Sequence, residues 1–454
     1  MPAVIIPSRG ARPRALRALA AAAVLATAAC QGGTDAPAVR VVGAELSAPA
    51  PLVRALDLTL DRPAAVTVDY WTEGDPHLRV RSASAEHHAL LLARLRPGRS
   101  YQYEVRGAGT RGTFTTDPLP ADLAGVSLAA TGERSGPLVM LHLFDPAGFK
   151  GYAAVDNSGR VVWYWRTTDF PFGMARRGNG NFVFLDKGRG LLEVTPAGRV
   201  VHELAQDLAS REQHHDAIVG PDNSVLFIAF DDRTVDGARV RGEAIWAWTP
   251  ETGAVVKRWS VWDHFTFADA PAPRGSGEWM HGNALAMGPR QNILLSAHHW
   301  NQIISITPDW RGVEWRLGGV NATLPVPDAE QFSGQHTGRE IAPGRVIVFD
   351  NGVDRGGYSR AVEFATDGGP VRKVWEWRPA RVNFATAVGS ARRLDGGRTL
   401  VAFGMSAGLA GSTGPTEVYE VAADGTPVWH LVVGTQILYR AEPLAAIGSE
   451  EVVP

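Results

Sequence analysis

Three histidines recur at one point of a repeated pattern, and their side chains could carry out chemistry. Each precedes an apolar stretch by about ten to twelve residues, and the three are His215, His281 and His336. A single histidine in a β-protein is usually packed and hydrogen-bonded, but three at one repeat position favour a functional cluster. Imidazole can bind zinc, act as a nucleophile or donate to anionic oxygens. We therefore expect the three rings to meet around a shared axis.

The neighbouring residues bear on which chemistry this cluster serves. Three imidazoles are a familiar ligand set for zinc. Asn283 and Gln335 lie next to the histidines in the sequence, and their amides suit an anion better than a metal. The pattern alone leaves both interpretations open.

The elements that must position these residues are predicted from a second motif. A short segment that begins with glycine or arginine, continues to a valine and often ends in tryptophan appears six times, about 40 to 60 residues apart. This period is typical of propeller blades. A four-stranded sheet cannot bury both of its faces alone, whereas six in a ring can. The sequence therefore predicts an all-β fold with a six-bladed β-propeller over 124–454. The copies begin at Gly159, Gly198, Gly253, Gly312, Arg372 and Gly425.

The region before the propeller has its own pattern. Residues 41–117 contain short runs that alternate apolar and polar residues, separated by glycine and proline, as in Leu95-Arg96-Pro97-Gly98. Such runs predict a small β-sandwich, and the stretch 95–103 resembles the late strands of fibronectin type III-like domains. Residues 118–123 are interpreted as the linker to the propeller.

Composition restricts the classes of partner. The chain has 454 residues with a formal net charge of -2, so it has no excess of basic residues for nucleic acid. Its one cysteine excludes a disulfide within the chain and a site made of several thiolates.

Residues 1–30 are predicted to be an export signal. Four arginines precede an apolar run over 18–29 that is too short to span a bilayer stably. Cys30 follows at once, as the acylated cysteine does in bacterial lipoproteins, although Thr27 stands where such signals usually carry leucine. We expect 1–30 to be a lipoprotein signal, Cys30 to be lipidated and 31–40 to be a tether. The mature protein is then exported and anchored to a bacterial membrane, facing the periplasm or the cell exterior.

Several segments together resemble the bacterial aryl-sulfate sulfotransferases. In that family one segment reads Asp-Trp-x-His-x-Asn, another reads His-His-Asp, and a third contains a histidine that is transiently sulfated. The matching segments here are Glu278-Trp279-Met280-His281-Gly282-Asn283, His214-His215-Asp216, and Phe332-Ser333-Gly334-Gln335-His336-Thr337. The third segment is followed by Phe349-Asp350-Asn351-Gly352 and Tyr358-Ser359-Arg360-Ala361-Val362-Glu363, which resemble the same family stretch. The similarity extends from about residue 151 to 429.

The resemblance implies a ping-pong mechanism. A nucleophilic His336 takes the sulfuryl group from an aryl sulfate, releases a phenol, and passes the group to a second phenol. His215 and His281 complete the catalytic set. The sulfuryl oxygens are expected to be held by four further residues, which are Asn283, His298, Gln335 and His214. The scheme requires no metal, no other cofactor and no nucleotide sulfate donor, and its partners are a small-molecule aryl sulfate and a phenol.

One departure from the family keeps other functions open. His298 stands where the family places an arginine, and histidine is neither permanently charged nor forked. An alternative is a non-catalytic propeller at the cell surface that binds sulfated or phenolic ligands. A quinoprotein-like dehydrogenase and a metal-dependent hydrolase are further alternatives. Asp350-Asn351-Gly352 is interpreted as closing a turn.

Overall fold

A computed structural model of the chain describes residues 39–272 and 277–453. The predicted signal 1–30 with Cys30, and residues 31–38 of the predicted tether, lie outside the described residues. Within the described residues, no helix is both long and apolar enough to cross a membrane.

The strands before the propeller form one hydrogen-bonded sheet. Its strands are β1 Val41–Ala50, β2 Val53–Trp71, β3 Leu78–Leu92, β4 Ser100–Val105, β5 Thr110–Thr115 and, at the far end of the chain, β31 Glu451–Val452. Their order is β31-β3-β2-β4-β5, with β1 also pairing with β2. The two longest strands, β2 and β3, have 19 and 15 residues. The β-sandwich and its resemblance to fibronectin type III-like domains stay predictions.

The rest of the described chain forms six further antiparallel sheets, which we call blades I to VI. The prediction of an all-β fold is confirmed. Blade I contains β10 Pro171–Arg176, β11 Phe182–Asp186, β12 Gly190–Val194 and β13 Val200–Ala205. Blade II contains β14 Gln213–Val219, β15 Val225–Val235, β16 Ala238–Thr249 and β17 Ala254–Ser260. Blade III contains β18 Gly282–Met287, β19 Ile293–Ala297, β20 Gln302–Ile306 and β21 Val313–Leu317.

Blade IV is built from consecutive strands, whereas blades V and VI combine strands from both ends of the propeller region. Blade IV contains β22 His336–Ala342, β23 Arg345–Asp350, β24 Arg360–Ala365 and β25 Arg372–Trp377. Blade V contains β26 Ser390–Arg393, β27 Thr399–Phe403, β28 Glu417–Val421, β29 Pro427–Val433 and the early strand β6 Leu128–Gly132. Blade VI pairs the late strand β30 Ile437–Leu444 with β7 Leu138–Phe144, β8 Lys150–Val155 and β9 Val161–Arg166.

The helices are short. The α-helix α1 spans Ala121–Ala124, and the 3-10 turns span Val261–Asp263, His298–Trp300, Asp328–Glu330, Asp395–Gly397 and Leu409–Gly411.

The blades are arranged in a ring. The first strands of blades I to VI contact one another in order, and the last of them, β30, contacts the first, β10. These six innermost strands therefore surround a common axis. The six motif copies all fall at the start of the fourth strand of a blade, which is the position a propeller repeat predicts.

Tryptophans at the ends of the repeats join neighbouring blades. The indole N–H of Trp163 in blade VI donates to the carbonyl of Pro196 in blade I at 2.9 Å. The indole of Trp429 in blade V donates in the same way to Asn157 in blade VI at 2.8 Å. Both side chains are buried, so each adds apolar burial and a satisfied polar atom to the contact between blades.

Candidate active site

The innermost strands of five blades are irregular near their first residues. The pairing register shifts between Pro171 and Met174, between His214 and Ala217, between Gly282 and Ala284, between His336 and Gly338, and between Leu438 and Ala441. A bulge turns side chains away from the regular alternation of a strand and is common beside active sites. The residues with functional side chains therefore come from irregular backbone at one end of the ring.

Left-handed backbone accompanies these bulges. His215 has φ +59°, His281 has φ +52° and Thr337 has φ +50°. Such angles are uncommon for residues other than glycine. In three neighbouring blades a left-handed residue therefore lies at the histidine or directly after it.

The structure brings the predicted histidines together in one continuous group. Ring centroids are 4.7 Å apart for His215 and His281, 5.0 Å for His281 and His298, and 5.4 Å for His298 and His336. His214 adjoins His215 with centroids 4.9 Å apart. The expected meeting of imidazoles from successive blades is therefore present in the geometry.

His336 is held in a single neutral tautomer. The amide nitrogen of Asn351 donates to the carbonyl oxygens of Ala385 and Val388, at 2.7 and 3.0 Å. The Oδ1 atom of Asn351 must then be an acceptor, and it lies 2.8 Å from Nδ1 of His336. The backbone N–H of Val388 donates to Nε2 at 3.2 Å. Nδ1 therefore carries the proton, and Nε2 carries the lone pair.

Burial keeps this imidazole uncharged. His336 is 4% exposed, and burial lowers its pKa to about 3 despite the hydrogen bond to Asn351. At neutral pH the imidazole of His336 is therefore uncharged, and its lone pair lies on Nε2.

The residue that contacts the lone pair has a strained backbone. Val388 has φ +55°, which is a rare conformation for a β-branched side chain. Its N–H bond to Nε2 of His336 is long for a hydrogen bond. The segment before β26 therefore has a left-handed backbone conformation at the residue that contacts Nε2 of His336.

A carboxylate orients His281. Oε2 of Glu278 lies 2.5 Å from Nδ1 of His281, and both side chains keep about a fifth of their surface exposed, 19% for Glu278 and 23% for His281. The hydrogen bond from His281 lowers the pKa of Glu278 to about 2. The charged carboxylate therefore accepts the Nδ1 proton and leaves Nε2 of His281 for other partners.

His214 and His215 are linked to each other. Their Nδ1 atoms lie 2.7 Å apart, so one ring donates to the other. His214 is buried and stacks on Phe230 with centroids 3.9 Å apart. Burial, with the neighbouring His281, lowers the pKa of His214 to about 3 and that of His215 well below its ordinary value. Both are uncharged at neutral pH.

The two predicted amides are bonded within the protein. Nδ2 of Asn283 donates to the backbone carbonyl of Gln335 at 2.8 Å. Nε2 of Gln335 donates to the carbonyls of Ala297 and Gln302 and to Ser296 Oγ, at 3.0 to 3.2 Å. Both residues are fully buried. They connect blades III and IV beneath the histidines, and their expected role in holding sulfuryl oxygens stays a prediction.

A buried ion pair joins blades II and VI, whose innermost strands are separated by that of blade I. Nη1 of Arg440 lies 2.7 Å from Oδ1 of Asp216, with side chains 3% and 1% exposed. Arg440 also donates to the backbone carbonyl of Asn283 at 2.9 Å. Burial opposes its charge, but the Asp216 carboxylate raises the pKa of Arg440 above its ordinary value. This arginine fixes the backbone that carries Asn283.

Three residues that contact the histidines of the candidate site were not predicted for it from the sequence. The segment Asp350-Asn351-Gly352 is predicted to close a turn, but the structure places the Asn351 side chain on His336. Its signal is its place in Phe349-Asp350-Asn351-Gly352, a segment that resembles the family stretch around the sulfated histidine. Glu278 lies in the family-like segment and could have been noticed as a carboxylate three residues before His281. Val388 contributes a backbone N–H, which leaves no signal in the sequence.

One group among residues 39–272 and 277–453 has the spacing of metal ligands. Ligand atoms of Glu278, His281 and His299 all lie within 4.8 Å of one another. The group adjoins the other histidines, since the rings of His281 and His299 are stacked with centroids 4.8 Å apart.

Comparison with known proteins identifies one family. Residues 130–440 match the family described as Arylsulfotransferase (ASST). The matched range includes His214, His215, His281, His298 and His336. No curated protein matches the chain.

Solved structures resemble the chain only distantly. A protein of unknown function from Bacteroides caccae is 14% identical, with 67% of this chain and 98% of that chain covered and a TM-score of 0.44. A virginiamycin B lyase from Staphylococcus aureus is 13% identical, with 74% and 92% covered and a TM-score of 0.35. A putative 6-phosphogluconolactonase from Bacteroides uniformis is 12% identical, with 84% and 99% covered and a TM-score of 0.42. These likenesses say nothing about activity.

Proposed function

We propose that this chain, which belongs to the arylsulfotransferase family, transfers a sulfuryl group from a phenolic sulfate ester to a phenol. The group passes through a sulfohistidine on His336 in a ping-pong cycle. No nucleotide sulfate donor and no metal takes part in this cycle.

The observation that carries the proposal is the state of His336. A nucleophile needs a free electron pair at the operating pH. The imidazole is neutral because its pKa is about 3, and Asn351 fixes the proton on Nδ1. The lone pair is therefore always on Nε2, which is the atom that attacks.

In the first half-reaction, Nε2 of His336 attacks the sulfur of the donor. The N–S bond forms while the bond from sulfur to the phenolic oxygen breaks, and its electron pair leaves with that oxygen. Nε2 of a protonated His281 gives its proton to the departing oxygen. The Glu278 carboxylate, at 2.5 Å from Nδ1, stabilises the imidazolium before this transfer.

In the second half-reaction, an acceptor phenol occupies the place of the first. Its oxygen attacks the sulfur, and its proton passes to Nε2 of His281. The N–S bond breaks, and its electron pair returns to Nε2 of His336. The proton stays on Nδ1 throughout, donated to Oδ1 of Asn351, so His336 ends in its starting tautomer.

Transfer of a sulfuryl group, like that of a phosphoryl group, depends mainly on positioning and on donors to the equatorial oxygens. The ring of His298 lies between those of His281 and His336, at 5.0 and 5.4 Å. His298 is the side chain best placed to donate to a sulfuryl oxygen on His336. The N–H of Val388 must leave Nε2 when sulfur arrives, and it can then donate to the same oxygens.

The proposal is tested by replacing the nucleophile. His336→Asn should abolish transfer from 4-nitrophenyl sulfate to phenol, measured as 4-nitrophenol release with acceptor present. Wild-type protein mixed with donor alone should carry a sulfuryl group on a peptide containing His336, detected by mass spectrometry. Turnover in a folded His336→Asn variant, or a label on another residue, would remove His336 from the mechanism.

The absence of an arginine at position 298 favours one second candidate, a non-catalytic propeller that binds sulfated or phenolic ligands. It predicts that the wild-type protein binds 4-nitrophenyl sulfate in equilibrium dialysis and releases no 4-nitrophenol. A release burst in the presence of phenol excludes it.

We also propose that the protein is exported and anchored through a lipid on Cys30, a residue outside the described part of the chain. The basic and apolar run before Cys30 supports this. Labelling of bacteria with a radioactive fatty acid should mark the wild-type protein and not Cys30→Ser. Equal labelling of both contradicts the anchor.

A further inference from the structure

Glu278, His281 and His299 form a compact group at the exposed side of the histidine cluster. Their ligand atoms lie within 4.8 Å of one another, and all three side chains are partly exposed. No other group of three ligand residues with this spacing occurs among the described residues. The reaction proposed above uses His281 and Glu278 but gives no role to His299.

Backbone contacts hold the two segments of this group in place. The N–H of His298 donates to the carbonyl of His281 at 3.1 Å, and the N–H of His299 donates to the carbonyl of Met280 at 3.0 Å. The indole of Trp300 adds a bond to the carbonyl of Trp279 at 2.8 Å. The turn that carries His299 is therefore fixed against the segment that carries Glu278 and His281.

The three side chains form a ligand set that is found at zinc sites with one open coordination position. Two imidazoles and a carboxylate bind Zn²⁺ as three protein ligands and leave a fourth site for water or another ligand. The ligand atoms of the other histidines do not form such a group with a third ligand residue among the described residues. Nδ1 of His299 also donates to the backbone carbonyl of Glu278 at 3.2 Å, which joins the turn to the Glu278 segment.

We propose that Glu278, His281 and His299 bind one Zn²⁺ per chain. The ion displaces the proton shared by His281 and Glu278. Zn–N and Zn–O bonds are about 2.0–2.2 Å long, so these two side chains move apart from their 2.5 Å separation while the backbone of the two segments stays in place. Exposure of the group gives the ion access from solvent.

Zinc in this place inhibits sulfuryl transfer. This consequence rests on the proposed function, because a metal-bound His281 can no longer deliver a proton to the departing phenol. Binding itself does not depend on that function and is measured separately.

The test uses purified full-length protein freed of metal with a chelator and then dialysed against buffered Zn²⁺. Wild-type protein should retain one Zn²⁺ per chain by metal analysis. His299→Phe should bind it more than about tenfold more weakly, since even partners outside the ligand shell cost tenfold or more. His77→Phe is the matched control, because His77 is an exposed histidine that stacks on Trp71 in the N-terminal sheet.

Activity gives a second readout. His299→Phe should transfer sulfuryl groups at the wild-type rate without zinc, and it should resist zinc concentrations that inhibit wild-type protein and His77→Phe. Less than one retained ion in the wild type, or equal retention by His299→Phe, overturns the site. Stoichiometric binding without inhibition leaves the site standing and overturns the role of His281 in transfer.

Discussion

Oδ1 of Asn351 accepts a hydrogen bond from Nδ1 of His336 at 2.8 Å, while the amide nitrogen of Asn351 is occupied by two backbone carbonyls. The asparagine cannot rotate without losing those bonds. It is therefore a positioning residue that selects which nitrogen of His336 reacts, and it does so without contacting the sulfur.

Replacing Asn351 by aspartate should change the pH dependence of His336 sulfation. A carboxylate beside the imidazole favours its protonated form and raises the pKa of His336 from about 3. As the pH is lowered, the single-turnover rate of His336 sulfation by donor alone should then begin to fall at a higher pH in Asn351→Asp than in the wild type. A fold check by thermal unfolding accompanies it, since two carbonyls lose their donor at about 1–3 kcal/mol each. An unchanged pH profile in the folded variant contradicts the positioning role.

The wild-type protein should keep its nucleophile active in mild acid. The folded pKa of His336 lies below the ordinary value of 6.5, so lowering the pH through 6.5 does not protonate it. The single-turnover sulfation rate should hold between pH 7 and pH 5 and fall only near pH 3. The measurement is rapid quenching with donor alone, which excludes steps that belong to the acceptor. A midpoint near 6.5 would show that His336 is accessible to solvent in the reacting state.

Glu278→Gln should slow transfer in a way that depends on the leaving phenol. The carboxylate stabilises the protonated His281, and proton donation matters most when the departing oxygen is strongly basic. We expect a loss of about 10²-fold for phenyl sulfate and a much smaller loss for 4-nitrophenyl sulfate.

The control for this comparison is Glu212→Gln, whose carboxylate pairs with Arg241 rather than with a histidine. Glu212→Gln should lower the transfer rates with phenyl sulfate and 4-nitrophenyl sulfate only slightly, and by the same factor. An equal, large loss with both donors in Glu278→Gln would assign Glu278 to folding and not to proton transfer.

His298→Arg should raise the transfer rate. A guanidinium is permanently charged and donates in a fork, and hydrogen bonds to charged groups contribute about 1.5–3 kcal/mol. We expect an increase in kcat/KM of about tenfold with 4-nitrophenyl sulfate. His299→Arg places the same group one residue further and should give no increase. A folded His298→Arg without a gain means that position 298 does not contact the sulfuryl oxygens.

Much of the propeller could be predicted from the sequence because its repeats are local. Each motif copy marks the turn and fourth strand of one blade, from β9 to β29. The closure of the ring could not be predicted in this way. Blade VI joins β30 to β7, and blade V adds β6 beside β29, so these pairings join residues that are hundreds of positions apart. Likewise, β31 from the end of the chain pairs with β3 in the sheet before the propeller, and no local pattern predicts that pairing.

The sequence alone determined the all-β class, the repeat and the family-like segments, because each depends on residue types at short, regular spacing. It also placed histidines at a common offset, from which their meeting could be expected. The tertiary structure alone decided which atoms touch. Asn351 and Val388 reach His336 across 15 and 52 residues, and Val388 does so with its backbone. Bulges and left-handed residues set these directions, and their geometry follows from how the blades close and not from any local pattern.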